Sequence, residues 1–185
     1  MPNFIKSIEE SARVVRSLSK IADDVQAAAD MMLKSIKSGG KILWLGNGGS
    51  AADAQHFAAE LMVRFKRNRR PIASIALSTD TSLLTAHSND FGYETVFARQ
   101  IEALATDKDI VVGISTSGNS ENVRLALETA KKMGLFTIGL LGGDGGAIRS
   151  LCSLALIPDS YTTAHIQEAH LIIGHYLCDT LESSL

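Results

Sequence analysis

From Lys41 onward, short apolar runs alternate with stretches of helical spacing, and this alternation constrains the fold more than any other feature of the chain. The runs occupy residues 42–45, 72–77, 110–114, 136–141 and 154–157, and helical periodicity follows over 50–65, 81–87, 93–105, 120–133 and 163–181. Each run stands too close to the next helical stretch to fold back as a hairpin. Several are apolar throughout, as strands buried on both faces are. The pattern predicts a parallel sheet with right-handed crossovers and helices on both faces. Ahead of it, residues 4–37 contain no glycine or proline, and apolar side chains from Ile5 to Ile36 recur at helical spacing. One long helix or two consecutive ones are expected there, stopped by Ser38, Gly39 and Gly40. With 185 residues and no linker, repeat or low-complexity tract, the chain reads as a single domain over 1–185. Its helical segment covers about 4–37 and its sheet core about 41–185.

Composition removes several classes of function. A formal charge of −2 leaves no electrostatic footprint for nucleic acid or an anionic membrane surface. No apolar run approaches the roughly 18 residues that a membrane span requires. The start of the chain carries Glu9 and Glu10 and lacks a signal-peptide core, so a cytoplasmic location is expected. Cys152 and Cys178 have no metal-ligand spacing and read as small buried hydrophobes in a reduced compartment. Basic residues cluster locally at Arg64, Lys66, Arg67, Arg69 and Arg70. A solvated helix end and loop is the first reading of that cluster, with an interface ion-pair patch or steering of an anionic substrate as alternatives.

Three segments carry chemistry. In the first, a glycine-rich turn (Gly46, Asn47, Gly48, Gly49, Ser50) follows an apolar run and opens into a helix bearing His56 and Glu60. Residues four apart project from one face, so this pair can serve one metal ion or act as acid and base. The second is the loop Ser115, Thr116, Ser117, Gly118, Asn119, Ser120, with Ser120 a natural helix N-cap. Its hydroxyls and free amides converge at the positive end of a helix, which suits a phosphate. Both loops are expected outside the carboxyl ends of parallel strands, where such sheets bind ligands. Neither has the spacing of a nucleotide fingerprint, so a sugar phosphate fits better than a dinucleotide. The third segment is the last helix, with Gln167, Glu168, His170 and His175. Gln167 and His175 lie eight residues apart, which is about 12 Å of rise and about 80° of rotation. One cation is not gripped by both from one copy of the helix: either sites draw on more than one subunit, or one of the two acts without coordinating. His170 reads as a packed or interface histidine, and His87 and His165 have no partner at informative spacing. Asn89 and Asp90 read as a polar turn between two helices, placed to contact substrate hydroxyls.

Taken together, GNGGSAADAQHFAAEL, SNDFGYETVFARQ, STSGNS and HIQEAHLIIGH are similar to bacterial phosphoheptose isomerases among the sugar isomerase (SIS) domains, over nearly the whole chain. The resemblance implies a three-layer α-β-α sandwich of flavodoxin type around a five-stranded parallel sheet, assembled as a homotetramer with active sites between subunits. It implies interconversion of sedoheptulose 7-phosphate and D-glycero-D-manno-heptose 7-phosphate, the entry to ADP-heptose for lipopolysaccharide or related glycans. It further implies zinc (Zn2+) held by His56, Glu60, Gln167 and His175, with Glu60 and His175 sharing the base and acid roles in either order. Phosphate would go to Ser115, Thr116, Ser117 and Ser120. Asn47, Gly48, Gly49, Asn89, Asp90 and Gln167, with Glu60, would contact the sugar. Ala164 stands where some members have Asp, so any contribution of that acid is absent here. The alternatives are a non-catalytic tetrameric SIS protein that binds the replication initiator, and an isomerase of another sugar phosphate.

Overall fold

A computed structural model describes residues 3–185, and each apolar run forms a strand. The strands are β1 (Ile42–Gly46), β2 (Ser74–Ala76), β3 (Ile110–Ser115), β4 (Phe136–Leu141) and β5 (Leu154–Leu156). All pairings are parallel, in the order β2-β1-β3-β4-β5. The outer strands β2 and β5 are three residues each, shorter than the apolar runs that contain them. Each pairs on one side only, and a short edge offers little template for a stray chain.

Alternation along β1 sorts its side chains between two cores. Ile42 and Trp44 enter a cluster with Met32, Phe57, Leu61 and Leu177, contributed by α2 (Ala22–Lys37), α3 (Gly49–Met62) and α7 (Thr163–Ser183). Leu43 and Leu45 enter the opposite cluster with Phe97, Ile101, Val123 and Leu127, from α5 (Val96–Leu104) and α6 (Glu121–Lys132). The sheet is therefore covered on both faces, as expected for a three-layer sandwich. Trp44 is fully buried, and its indole N–H donates to Ser74 Oγ at 2.9 Å across β1 and β2.

The N-terminal segment is two helices, α1 (Phe4–Ser17) and α2, joined by a 3-10 turn at Leu18–Ile21. Asn3 Oδ1 caps α1 by accepting the Lys6 amide at 3.2 Å. Asp23 and Asp24 in the first turn of α2, and Lys34 and Lys37 in its last, complement the helix dipole.

Two differences from the sequence expectation bear on the site. Helix α3 stops at Met62 and not at residue 65, because tertiary partners capture its last groups. The Arg69 guanidinium donates to the carbonyls of Glu60 and Leu61, both at 2.8 Å, and the Glu182 carboxylate accepts the next amides, from Phe65 to Arg67. Helix α4 (Thr81–Phe91) runs on past His87 to Gly92, so Asn89 and Asp90 occupy its last turn and not a turn between helices. No described helix is long and apolar enough to cross a membrane.

Candidate active site

The sheet order reverses at β1 and β3, and both informative loops leave the carboxyl ends of these two strands, with Gly46 in register with Ile114. The glycine turn is held from across this switch point. Asn47 and Asn122 exchange a reciprocal pair of amide hydrogen bonds, both 2.8 Å, and the Tyr93 hydroxyl donates to Asn47 Oδ1 at 3.0 Å. Asn122 is buried in the first turn of α6, and the sequence reading did not single it out. Its only signal was its position directly after Ser120 and Glu121. The stretch around Asn89 reaches the glycine turn through Tyr93, while the Asn89 side chain donates to Asp90 Oδ1 at 2.8 Å.

In the second loop, Ser115 Oγ lies 3.0 Å from Ser120 Oγ and 3.4 Å from Ser117 Oγ. Ser120 stands at the N-cap of α6 with extended backbone, as expected, but its side chain does not cap the helix. Its hydroxyl turns instead toward Ser115, which keeps the serine cluster together in front of the helix dipole. Gly118 takes φ of +65°, and a Cβ there would collide with the Gly145 carbonyl. The loop is pinned by Ile148 N–H donating to the Gly118 carbonyl at 3.0 Å and by Ala147 N–H donating to Asn119 Oδ1 at 3.0 Å. Thr116, Ser117 and Asn119 line a cavity of about 290 Å3 whose far wall is Gly143, Asp144, Tyr161 and Thr163.

About two turns along α3, the structure brings together residues far apart in sequence. His56 Nε2 lies 2.8 Å from His175 Nε2 and 3.6 Å from Glu60 Oε1. The two imidazoles meet nearly edge-on, with ring centroids 5.0 Å apart at 78°, and Phe65 stacks on the face of His175 at 5.3 Å and 16°. Burial, helped by the neighbouring His56, holds His175 below the usual imidazole range, while Glu60 pulls the other way. A single chain thus assembles His56, Glu60 and His175. Gln167, near the start of the same helix α7, lies against the backbone of Gly49, so closely that a side chain at Gly49 would strike its amide. Among the described residues, no group of three or more His, Cys, Asp or Glu side chains is arranged to hold a metal ion. The donor chemistry nonetheless suits zinc: two imidazole nitrogens face each other with a carboxylate beside them. Asp53, on the same helix, is buried with Oδ2 unpartnered, and burial pushes its carboxyl up to about 6 against the opposing pull of His56.

The remaining histidines have structural partners. His170 is fully buried, and its ring nitrogen Nε2 donates to the Leu141 carbonyl at 2.8 Å. His165 Nδ1 lies 3.0 Å from Ser11 Oγ and 3.1 Å from Glu168, and His87 Nε2 lies 2.8 Å from Thr95 Oγ1. Cys178 is buried and Cys152 partly so, and burial pushes both thiols up to about 12. The basic cluster divides. Lys66 pairs with Asp179 at the surface at 2.7 Å, whereas the Arg69 side chain is only 10% exposed and faces the fully buried Glu182 carboxylate. A solvated loop therefore describes only part of it.

The SIS domain family model matches residues 4–142. A phosphoheptose isomerase of Helicobacter hepaticus is 57% identical over 159 residues, which is 86% of this chain and 81% of that protein. The fold superposes on a phosphoheptose isomerase of Neisseria gonorrhoeae with a TM-score of 0.90 and 42% identity, covering 97% of this chain and 96% of the other. For a phosphoheptose isomerase of Francisella tularensis the TM-score is 0.93 at 36% identity, covering 96% and 95%. Likeness at this level extends through the sheet, the switch-point loops and α7, and the chain belongs to the phosphoheptose isomerase family of SIS-domain sugar-phosphate isomerases.

Proposed function

We propose that this isomerase converts D-sedoheptulose 7-phosphate to D-glycero-D-manno-heptose 7-phosphate, in the supply of ADP-heptose for lipopolysaccharide. The observation that carries this reading is the convergence of His56, Glu60 and His175 from two helices onto one point. Ketose–aldose isomerisation moves one proton from C1 to C2. A base removes the C1 proton made acidic by the C2 carbonyl, and an acid protonates the carbonyl oxygen to give the enediol. Returning a proton to C2, with loss of the C1 hydroxyl proton, leaves the aldehyde. Glu60 and His175 are the base and acid, with either order compatible with their geometry. Zinc held by His56, Glu60 and His175, with Gln167 as a further donor or as a substrate contact, would polarise the carbonyl. Gln is an uncommon zinc ligand, which favours the substrate role for Gln167.

The phosphate is assigned to Ser115, Thr116, Ser117 and Ser120 at the start of α6, where clustered hydroxyls meet the positive helix end. Asn47, Gly48, Gly49, Asn89, Asp90 and Gln167 would orient the sugar hydroxyls, with Asn47 preset by Asn122 and Tyr93.

Active sites shared within a homotetramer complete the reading. Glu60 lies 11 residues beyond Gly49, roughly 16 Å along α3. A second copy supplying one of the two regions removes that separation. Phe4, Ile5 and Ile8 on α1 and Ile172 and Tyr176 on α7 are exposed apolar side chains that a neighbouring subunit would cover.

NMR-followed turnover of sedoheptulose 7-phosphate tests the proposal, using chelator-stripped protein, the same protein resupplied with zinc, and Glu60→Gln as a control. Zinc-dependent aldose formation that is lost in Glu60→Gln is expected. Absence of turnover by folded, zinc-resupplied protein would refute the assignment of substrate, and C5 and C6 ketose phosphates in the same assay would reveal a shorter sugar.

A further inference from the structure

Glu182 has no place in the chemistry above, yet its carboxylate is fully buried near the end of α7. It accepts three consecutive backbone amides: Lys66 at 2.7 Å, Arg67 at 2.8 Å and Phe65 at 3.4 Å. Facing it at 3.6 Å is Arg69, whose other nitrogens donate to the carbonyls of Glu60 and Leu61, both at 2.8 Å. A buried charge is costly unless paired and hydrogen-bonded, and this one is satisfied by the segment that leaves α3. Two ends of that segment touch the acid/base pair. The first carbonyl held by Arg69 belongs to Glu60, and the first amide held by Glu182 belongs to Phe65, whose ring stacks on His175.

We propose that Glu182 and Arg69 form a clamp that positions the acid/base pair, setting Glu60 through the last turn of α3 and the His175 imidazole through Phe65. This rests on the assignment of Glu60 and His175 as base and acid. Both clamp residues are positioning residues, since neither touches the reacting atoms. His175 already contacts His56 at its Nε2 edge, so the Phe65 ring stacked on its face restricts rotation of the imidazole and fixes the direction of its Nε2. The clamp also ties the two helices to each other: Glu182 and His175 share α7, while Glu60 lies in the last turn of α3. Loosening it lets the acid and the base drift apart without removing either, and misplacement of about 1 Å costs on the order of a hundredfold in rate.

The test measures kcat and KM of the zinc-supplied full chain for Glu182→Gln and Phe65→Leu, together with the NMR signals of the His175 ring protons. Expected are a ten- to hundredfold fall in kcat with KM within about twofold of the parent. The His175 signals should shift in Glu182→Gln as the Phe65 ring current moves away, and Phe65→Tyr should restore kcat. Phe65→Leu leaves the carboxylate and its amide partners in place, so it carries the test if Glu182→Gln does not fold. Folded variants with parental kcat, alongside an inactive Glu60→Gln, would overturn the clamp and leave the proposed reaction standing. A rise in KM at constant kcat would also overturn it, assigning the loop to substrate binding. Parental turnover by Glu60→Gln would remove the acid/base assignment itself and the clamp's role with it.

Discussion

His170 shows how one side chain writes a pH signature into the whole protein. Burial lowers its pKa to about 4, and the hydrogen bond to the Leu141 carbonyl only partly opposes that. Donation from Nε2 means the neutral ring carries its proton there, leaving Nδ1 buried and unpartnered. The unfolded chain protonates this histidine first as pH falls. Its contribution is therefore complete above pH 6.5 and is lost between 6.5 and about 4. At 1.36 kcal/mol per pKa unit the loss amounts to roughly 3 kcal/mol. Asp53 acts with opposite sign: its carboxyl is raised to about 6, so the fold gains stability as pH falls from there toward 3.8. The two partly cancel in the parent protein. In His170→Gln, which keeps a donor toward Leu141, the gap in unfolding free energy from the parent should narrow by about 3 kcal/mol between pH 7 and pH 4. Urea titrations across that range read it directly, and a constant gap would disprove the assignment. The proposed acid/base pair gives a second expectation at this scale. Glu60→Gln and His175→Gln should each lower kcat by about 10²–10⁴, the usual worth of a general acid or base, with secondary structure unchanged by circular dichroism.

Among the elements, the loop between β3 and α6 depends for its shape on Gly118. Gly118 sits at φ +65° against the Gly145 carbonyl, and Gly118→Ala meets both a dihedral penalty of about 1–2 kcal/mol and a backbone collision. Relief requires the loop to leave the 145–148 segment that pins it. Since that loop holds the serine cluster, Gly118→Ala should raise KM for the sugar phosphate at least tenfold and lower the melting temperature. A parental KM would separate this loop from phosphate binding. Helix α3 illustrates the opposite dependence, where tertiary partners override local preference. Its sequence continues at helical spacing to residue 65, but Arg69 and Glu182 capture the groups that a further turn would use. Helix α4 runs on through Asn89 and Asp90 because the stop is Gly92, one residue after Phe91.

At the scale of the molecule, the apolar side chains left exposed on α1 and α7 are the feature that a single chain does not explain. Phe4 is 78% exposed and Ile5 63%, beside Ile8, Ile172 and Tyr176. Assembly into the proposed homotetramer would bury them and bring one chain's acid/base pair toward another's loops. Ile172→Glu, a charge on the outer face of α7, should lower the mass found by sedimentation and reduce turnover together. Full activity in a species shown to be monomeric would defeat the shared-site reading.

Much of this was legible in the sequence for a physical reason. Hydrophobic period and glycine placement are local properties, so the five apolar runs announced a parallel sheet and the two loops announced its ligand-binding end. The pairing of His56 with Glu60 followed from helix geometry alone. Long-range convergence is not a local property. Nothing in the spacing of α7 said that His175 would meet His56 while Gln167 met Gly49, because both depend on how α7 crosses α3. The same holds for Asn122 locked to Asn47, and for an arginine in a basic run that turned out to be buried against Glu182. By itself the sequence determined the family, the layers and the inventory of reactive groups. Only the packing of α3 against α7 decided which of those groups stand together.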